Sequence, residues 1–472
     1  KFRGDGSMDI SKRDFLAGAG AGVTMAMTGG ASGREQSPSR PPLTSDIGQL
    51  DRVLVHSISA EEPLTSRISG GLIPYADNDP AAMVEQQSAL MDLLRESGAE
   101  LVEVSDALEA AREATLRSGV WEAWIDASFP RFGADPGSVT VNQILGRDPD
   151  WLYRLDRAGN YDHFADMTGS TMWTRDSAFM TPQGLVMGNS SSPRRGRENM
   201  LLRFAYRYSP LLEDVPMAVD AVEDGFIVEG GDAMVVDRNT MFLGVGSRSS
   251  PDAARILARR LNMDVYAVQI GTDEFVREAA AGAQSDFSAL RLLVLHLDTN
   301  FTLVGPRHAL ALPYLFEAEY AEDSPLARYI RGAVRQSLLA HEDAEQALEL
   351  LRELGTLTRY AAGSGRREEM DGMKLVDFCR SQGYRITYTG GPVPDGDEAA
   401  FAHFMSVTYP EQRRQASNVV QARPGRVIAY DGNPATIAAL ESDGVGVDAF
   451  HGRELWNWHG GPHCLTQPLL RS

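Results

Sequence analysis

From Asp46 onward, short apolar runs alternate with longer stretches whose apolar residues recur every three or four positions. Residues 52–56 have strand character, 81–97 carry apolar residues at helical spacing, and 99–104 return to a strand pattern. The same alternation recurs at 226–229 and 241–245 (strands), 251–261 (helix) and 264–270 (strand). Another strand is predicted over 292–298, and the scheme closes with a strand at 426–430, a helix at 434–440 and a strand at 445–450. This rhythm predicts an α/β fold. Two stretches, 106–167 and 318–372, break it with helical patterns and few strand signals, and read as helical insertions. Periodicity alone does not decide between one open sheet and several radiating modules, because both give the same alternation.

Composition narrows the class. A hydrophobic content of 43% and a charged content of 23% over 472 residues describe a chain able to bury a large core. Its net charge of −20 repels nucleic acid and anionic membrane surfaces and attracts cations, although surplus acid also serves solubility. With two cysteines, Cys379 and Cys464, no disulfide framework is expected. Residues 1–7 read as a cloning remnant ahead of Met8. The segment Ser11-Lys12-Arg13-Asp14-Phe15-Leu16, with the mildly apolar run after it, resembles a twin-arginine export signal in which Lys12 replaces the first arginine. Export to the periplasm is the expectation, with a cytoplasmic protein carrying a flexible tail as the alternative. A Ser- and Pro-rich linker over 34–44 follows, so residues 1–45 are set apart from a body over 46–472. No other run approaches the roughly 20 apolar residues that a membrane helix needs.

The candidate chemistry is concentrated in four segments. In Trp458-His459-Gly460-Gly461-Pro462-His463-Cys464, glycines and a proline set an irregular backbone that can present a thiol to a ligand. A lone cysteine is also a common buried core residue, and the segment by itself leaves both readings open. Leu295-His296-Leu297-Asp298-Thr299 sets a histidine and an aspartate two apart, on one face if the segment is a strand. Phe226-Ile227-Val228-Glu229-Gly230-Gly231-Asp232 delivers two acids around a pair of glycines, and Trp173-Thr174-Arg175-Asp176 supplies another. Each acid, taken singly, also fits a solvated turn.

Together, Thr-Arg-Asp, Glu-Gly-Gly-Asp, His-Leu-Asp-Thr and the late Gly-Gly-X-X-Cys resemble, in order, the signatures of the arginine deiminase family within the guanidine-modifying superfamily. The resemblance runs from about Gln49 to Leu470, and takes in Arg194 to Glu198, Glu411-Gln412 and Asn418-Val419-Val420. It implies a five-bladed α/β propeller of pseudo-fivefold ββαβ modules, decorated by the helical insertions. It also implies a cysteine nucleophile at Cys464, with His296 as general acid and base oriented by Glu229. Asp176 and Asp298 would bind a planar guanidinium in forked geometry, while His463 would help to favour the thiolate. Arg195 and Arg248 match arginines that hold a substrate carboxylate, and Asp232 matches a position whose role is equally well structural.

Two positions depart from the family. Ser170 stands where the family usually has Asn, and His459 where it usually has Arg, both in the region that recognises the substrate. The implied activity is hydrolysis of L-arginine, or a related guanidino acid, to citrulline or its ureido analogue and ammonia. Alternatives are transfer of the amidino group to an amine, or action on a decarboxylated guanidine such as agmatine. No phosphate-binding glycine loop or zinc-spaced cysteines occur, so no cofactor or metal is expected. The expected partners are a small cationic guanidino substrate and further copies of the chain in a homo-oligomer, with neither nucleic acid nor a membrane span.

Overall fold

Each segment singled out for its chemistry runs directly into a short, buried strand. In the computed structural model, which describes residues 43–60, 62, 79–128, 135–148, 171–191, 195–246, 248–271, 295–320, 323–337 and 340–472, the strands fall into small sheets of one recurring plan. In chain order they are β1 (Leu50–Val55), β2 (Glu100–Glu103), β3 (Ala178–Thr181), β4 (Gly184–Met187), β5 (Met217–Asp220), β6 (Ala233–Asp237), β7 (Thr240–Val245) and β8 (Asp264–Gln269). They continue with β9 (Phe301–Gly305), β10 (His308–Ala311), β11 (Thr356–Tyr360), β12 (Arg367–Lys374), β13 (Arg385–Tyr388), β14 (Val420–Arg423), β15 (Arg426–Tyr430), β16 (Gly446–Phe450) and β17 (Gln467–Arg471).

The plan is an antiparallel pair followed by a parallel neighbour. β3, β4 and β5 follow it, as do β6, β7 and β8; β9, β10 and β13; and β14, β15 and β16. The last sheet joins both ends of the described chain, with β17 antiparallel to β1 and β1 parallel to β2. Antiparallel partners need only a tight turn, whereas the parallel step needs a crossover long enough for a helix. Helix Pro80–Glu96 supplies it between β1 and β2, Gly196–Tyr208 between β4 and β5, Pro251–Leu261 between β7 and β8, and Pro434–Ser442 between β15 and β16. Helix Pro251–Leu261 shows the sequence logic. Ser250 accepts from the Ala253 N–H, Pro251 opens the first turn, and Ala254, Leu257, Ala258 and Leu261 bury one face.

Hydrophobic clusters join successive sheets. One runs from Leu54 and Leu469 through Phe179 and Leu185 to Val235 and Leu243. A second packs Met234 and Phe242 against Phe301 and Ala309; a third packs Val304 and Leu310 against Val419 and Val427. A fourth returns from Val420 and Ile428 to Leu50 and Val53.

The predicted insertion over 106–167 contributes helices Val104–Leu116, Val120–Ser128 and Val141–Leu145; residues 129–134 and 149–167 lie outside the described residues. Trp124 stacks on Phe204 of helix Gly196–Tyr208 with ring centroids 4.1 Å apart. The insertion over 318–372 needs correction, because it holds strands as well as helices. After Pro325–Arg335 and His341–Glu353, β11 pairs antiparallel with β8 and β12 with β11, extending that sheet to five strands. β12 is largely exposed and polar (Arg-Glu-Glu-Met-Asp-Gly-Met-Lys), so no apolar alternation announces it.

Two other expectations change. The strand predicted at 226–229 is an extended segment that makes a single bridge, Val228 to Asn189, before a 3-10 turn at Gly230–Asp232. The strand predicted at 292–298 falls outside the described residues through 294, and Leu297–Thr299 is again a 3-10 turn. Both sequences are apolar enough for a strand, but among the described residues the ladder starts only after the acid, at β6 and β9. The proposed export signal and most of the linker also lie outside the described residues. Among those that are described, no helix is long and apolar enough to cross a membrane.

β17 closes the last sheet, and on it Leu469 is buried while Leu470 is 38% exposed. Leu469→Ala is expected to lower stability by about 2–5 kcal/mol, and Leu470→Ala by no more than about 0.5 kcal/mol. Urea denaturation of both variants provides the comparison.

Candidate active site

Five strand starts bring the chemistry together. Asp176 precedes β3, Asp232 precedes β6, His296 and Asp298 precede β9, Asn418 precedes β14, and Cys464 precedes β17. All six of these residues are buried. The turns can approach one another because glycines leave room. A Cβ on Gly231 would lie 2.7 Å from His296 Nδ1 and 2.9 Å from Asp176 Oδ1, and one on Gly461 would lie 2.5 Å from the Asn418 carbonyl oxygen.

His296 sits between carboxylates. Its Nε2 is 2.9 Å from Glu229 Oε2, and its Nδ1 is 3.7 Å from Asp176 Oδ1. Burial opposes a charged ring, but the Asp176 charge and the Glu229 hydrogen bond outweigh it and push the pKa up to about 10. The imidazole is therefore a cation at neutral pH. Glu229 is buried too, yet Arg248, His296 and Arg195 hold its carboxyl well below the usual range. Its Oε1 accepts from Ser190 Oγ (2.6 Å) and the Ser191 N–H (3.2 Å).

Around Cys464 the balance is the reverse. Burial first, then the Asp298 and Asp176 charges, push the thiol pKa well above its ordinary value. The thiol donates to Asp298 Oδ2 at 3.4 Å, and Asn418 Nδ2 donates to Sγ at 3.2 Å. His463 donates from Nδ1 to the same Asp298 Oδ2 at 2.9 Å, and burial, with the Arg175 charge, pushes its pKa down. It is a neutral partner of Asp298, and its Nδ1 proton is engaged there rather than on the thiolate that the resemblance expected it to favour. Although burial resists ionisation of Asp298, the hydrogen bond from His463 keeps its carboxyl below the usual range.

The two aspartates share a further property. Asp176 Oδ1 and Asp298 Oδ1 are buried and accept no hydrogen bond among the described residues. Their other oxygens are occupied, Asp298 Oδ2 as above and Asp176 Oδ2 by Arg195 Nη1 at 2.6 Å. Arg195 is also forked onto Glu198, Nε to Oε1 at 3.2 Å and Nη2 to Oε2 at 2.6 Å. Asp176 thus already holds one guanidinium within the protein. Arg248 approaches Glu229 with Nη1 3.6 Å from Oε1.

Asp232 accepts from Ser249 Oγ (2.6 Å) and from the Leu297 N–H (3.1 Å), so it ties the His296 turn to the turn after β7. Burial pushes its pKa up to about 7. His459 ends the short helix Arg453–Trp456, with φ of 65° and its N–H donating to the Trp456 carbonyl. Ser170 lies outside the described residues.

In the sequence, Asn418 stands only within the stretch Asn418-Val419-Val420, with no motif chemistry of its own. A single asparagine before an apolar run carries no signal for a contact 46 residues away. Asp176, Glu229 and His296 each offer a potential metal-ligand atom, all within 4.8 Å of one another. With His296 on the cation side at neutral pH its ring nitrogens are donors rather than ligands, and Arg195 holds one of the two Asp176 oxygens.

A profile of the arginine deiminase family matches residues 153–322 and 405–471, half of the chain. The chain belongs to the arginine deiminase family. An arginine deiminase of Streptococcus pyogenes serotype M49 is 23% identical over 458 residues, covering 91% of this chain and 97% of that protein. One from Borrelia duttonii is 24% identical over 455 residues, with the same coverage. Among solved structures, a DDAH from Pseudomonas aeruginosa complexed with citrulline is 14% identical, covers 89% of this chain and 99% of its own, and superposes with a TM-score of 0.44. The N-terminal domain of ArgZ, covalently bound to a reaction intermediate, is 12% identical, with 89% and 98% coverage and a TM-score of 0.44.

Removing the Glu229 charge withdraws one of the groups that keep His296 protonated. His296 in the unmodified protein is expected to titrate far above the ordinary histidine value, near 10, and in Glu229→Gln at a clearly lower pH. Because the folded pKa is raised, the stability this cation contributes is complete below about 6.5 and is lost as pH climbs through about 10. NMR of ring-labelled histidines follows the titration, and an unmoved midpoint in the variant rejects this account of the shift.

Proposed function

We propose that the protein hydrolyses a guanidino group through a covalent intermediate on Cys464, converting L-arginine or a related guanidino acid to citrulline, or its ureido analogue, and ammonia. The observation that carries this reading is the pair of buried oxygens, Asp176 Oδ1 and Asp298 Oδ1, that accept no hydrogen bond among the described residues, beside one thiol and one histidine cation. An unmet buried acceptor costs about 1–3 kcal/mol, and more when charged, and a planar cation with several N–H donors is the ligand that removes this cost at both oxygens. Membership of the family, and the name arginine deiminase carried by the relatives, support the same chemistry.

The steps follow from the charges. The bound cation offsets the two carboxylates that oppose ionisation of Cys464, so the thiol loses its proton to solvent and the thiolate forms where the substrate sits. Sγ bonds to the guanidinium carbon, and a C–N bond breaks as His296 passes its proton to the departing nitrogen, releasing ammonia. His296, now neutral, takes a proton from water. The hydroxyl bonds to the carbon of the thiouronium, the S–C bond breaks to return the Cys464 thiolate, and the hydroxyl proton passes to solvent as the ureido C=O forms and the product leaves. Glu229 holds His296 in place through both halves.

We read residues 46–472 as one catalytic unit, and its five sheets as the blades of an α/β propeller with the site at its axis. This rests on the shared strand plan and on cores that link each sheet to the next, the last one to the first. Arg195 and Arg248 would supply the charge for a substrate carboxylate, Arg195 by exchanging part of its hold on Asp176 or Glu198.

Cys464→Ala is expected to form no citrulline from arginine while the buried Cys379→Ala stays active; citrulline and ammonia assays read both. Turnover in Cys464→Ala would end the proposal. Arginine should also be processed far better than agmatine, since a site built for a polar group discriminates by roughly 10⁴ when that group is missing. Equal kcat/KM values for the two would remove the amino-acid specificity and leave the guanidine hydrolysis intact.

A further inference from the structure

Three of the strand starts around the site carry an aspartate, Asp176, Asp232 or Asp298, whereas the start of β14 carries a neutral amide, Asn418. The side chain is fully buried, and every one of its polar atoms is engaged. Oδ1 accepts the backbone N–H of Cys464 at 3.1 Å. Nδ2 donates to the Asp298 carbonyl oxygen at 3.1 Å and to Cys464 Sγ at 3.2 Å. These partners fix the orientation of the amide. A flipped group would set N–H against N–H at Cys464 and oxygen against oxygen at Asp298. One N–H of the amide therefore points at the sulfur.

We propose that Asn418 is a further catalytic residue, which fixes the Cys464 backbone through its carbonyl oxygen and stabilises the Cys464 thiolate through its N–H. The proposal rests on the reading of Cys464 as the nucleophile. The need for such a donor is electrostatic. Asp298 and Asp176 oppose a negative sulfur, and the nearby His463 spends its proton on Asp298. Hydrogen bonds from Asn418 and from the Gly461 backbone favour the thiolate. A carboxylate at position 418 would add another opposing charge, whereas an amide donates without bringing one.

The surroundings hold Asn418 in register with the other turns. Its N–H donates to the Gln415 carbonyl at 3.0 Å, and its own carbonyl accepts from the His463 N–H at 3.4 Å. The preceding residue, Ser417, donates from Oγ to Gln412 Oε1 at 3.3 Å. Gln412 Nε2 in turn donates to the Thr299 carbonyl oxygen (2.7 Å) and to Asn300 Oδ1 (2.8 Å), on the turn that carries His296 and Asp298. The cysteine turn and the histidine turn are thereby joined through one short chain of buried polar groups.

Asn418→Asp tests this with almost no change of shape. It keeps an acceptor for the Cys464 N–H, loses the donor to Sγ and adds a negative charge. In the full-length protein, the rate of iodoacetamide modification of Cys464, read by mass spectrometry of its peptide, is measured against pH. The profile is expected to move up by about one unit or more, the equivalent of one charge-assisted hydrogen bond. The kcat for arginine should fall by at least about tenfold, with the melting temperature showing that the fold is kept. Asn418→Ala, which removes the donor without adding charge, should shift the profile in the same direction by less, and it carries the test if the aspartate variant does not fold. A thiol profile that stays in place in either folded variant overturns the proposal, even if turnover falls, because a purely structural role would leave the ionisation of the sulfur untouched. The alkylation readout needs no substrate. It therefore separates a failure of this proposal from a failure of the nucleophile reading, which Cys464→Ala decides.

Discussion

Placing several carboxylates around one buried thiol is the constraint on which the rest of this structure depends. Asp176, Glu229, Asp232 and Asp298 lie out of water within a few turns of one another, and each would be destabilising without donors or cations. The protein answers each in a different way. Glu229 receives His296 and Arg248, Asp232 receives a serine hydroxyl and a backbone N–H, and Asp298 receives His463. Asp176 receives Arg195. What is left over is one oxygen on each of two aspartates that accepts no hydrogen bond among the described residues, and the proposed guanidinium substrate matches those two acceptors.

The same charges set the protonation states on either side of the site. His296 is driven toward the cation by acids that face it, while Cys464 is driven toward the neutral thiol by acids that face it. In the proposed mechanism, a general acid that is already protonated and a nucleophile that awaits a cation are complementary. Neither residue needs a pKa near neutrality in the free protein, because arrival of a positive substrate changes the field that both experience.

The fold supplies the precision that this arrangement requires. Each site residue stands at the mouth of a strand held in a hydrogen-bonded ladder, so a turn that would otherwise wander is anchored on one side by buried β structure. Glycines at 231 and 461 let turns from different sheets approach within hydrogen-bond distance. Gln412, Ser417 and Asn418 then cross-link the turns through buried polar contacts, which hold geometry only when every member is satisfied.

The sequence by itself determined the α/β class, the helix at Pro251–Leu261, the late strand–helix–strand at 426–450 and the identity of the acids, the histidine and the cysteine. These were legible because local periodicity, capping residues and glycine pairs leave their mark within a few positions. It misjudged the segment at 226–229, and 295–298 of the strand expected over 292–298, where the described residues lead into a 3-10 turn instead of forming a ladder, since a ladder depends on a partner strand remote in sequence. It overlooked β11 and β12 for the same reason: they exist because β8 offers an open edge, and the exposed residues of β12 carry no apolar alternation. The contacts of Asn418, the neutral state of His463 and the oxygens of Asp176 and Asp298 that accept no hydrogen bond among the described residues were decided only by tertiary structure. Hydrogen-bond partners and desolvation are properties of three-dimensional neighbours, and here those neighbours come from turns dozens to hundreds of residues apart.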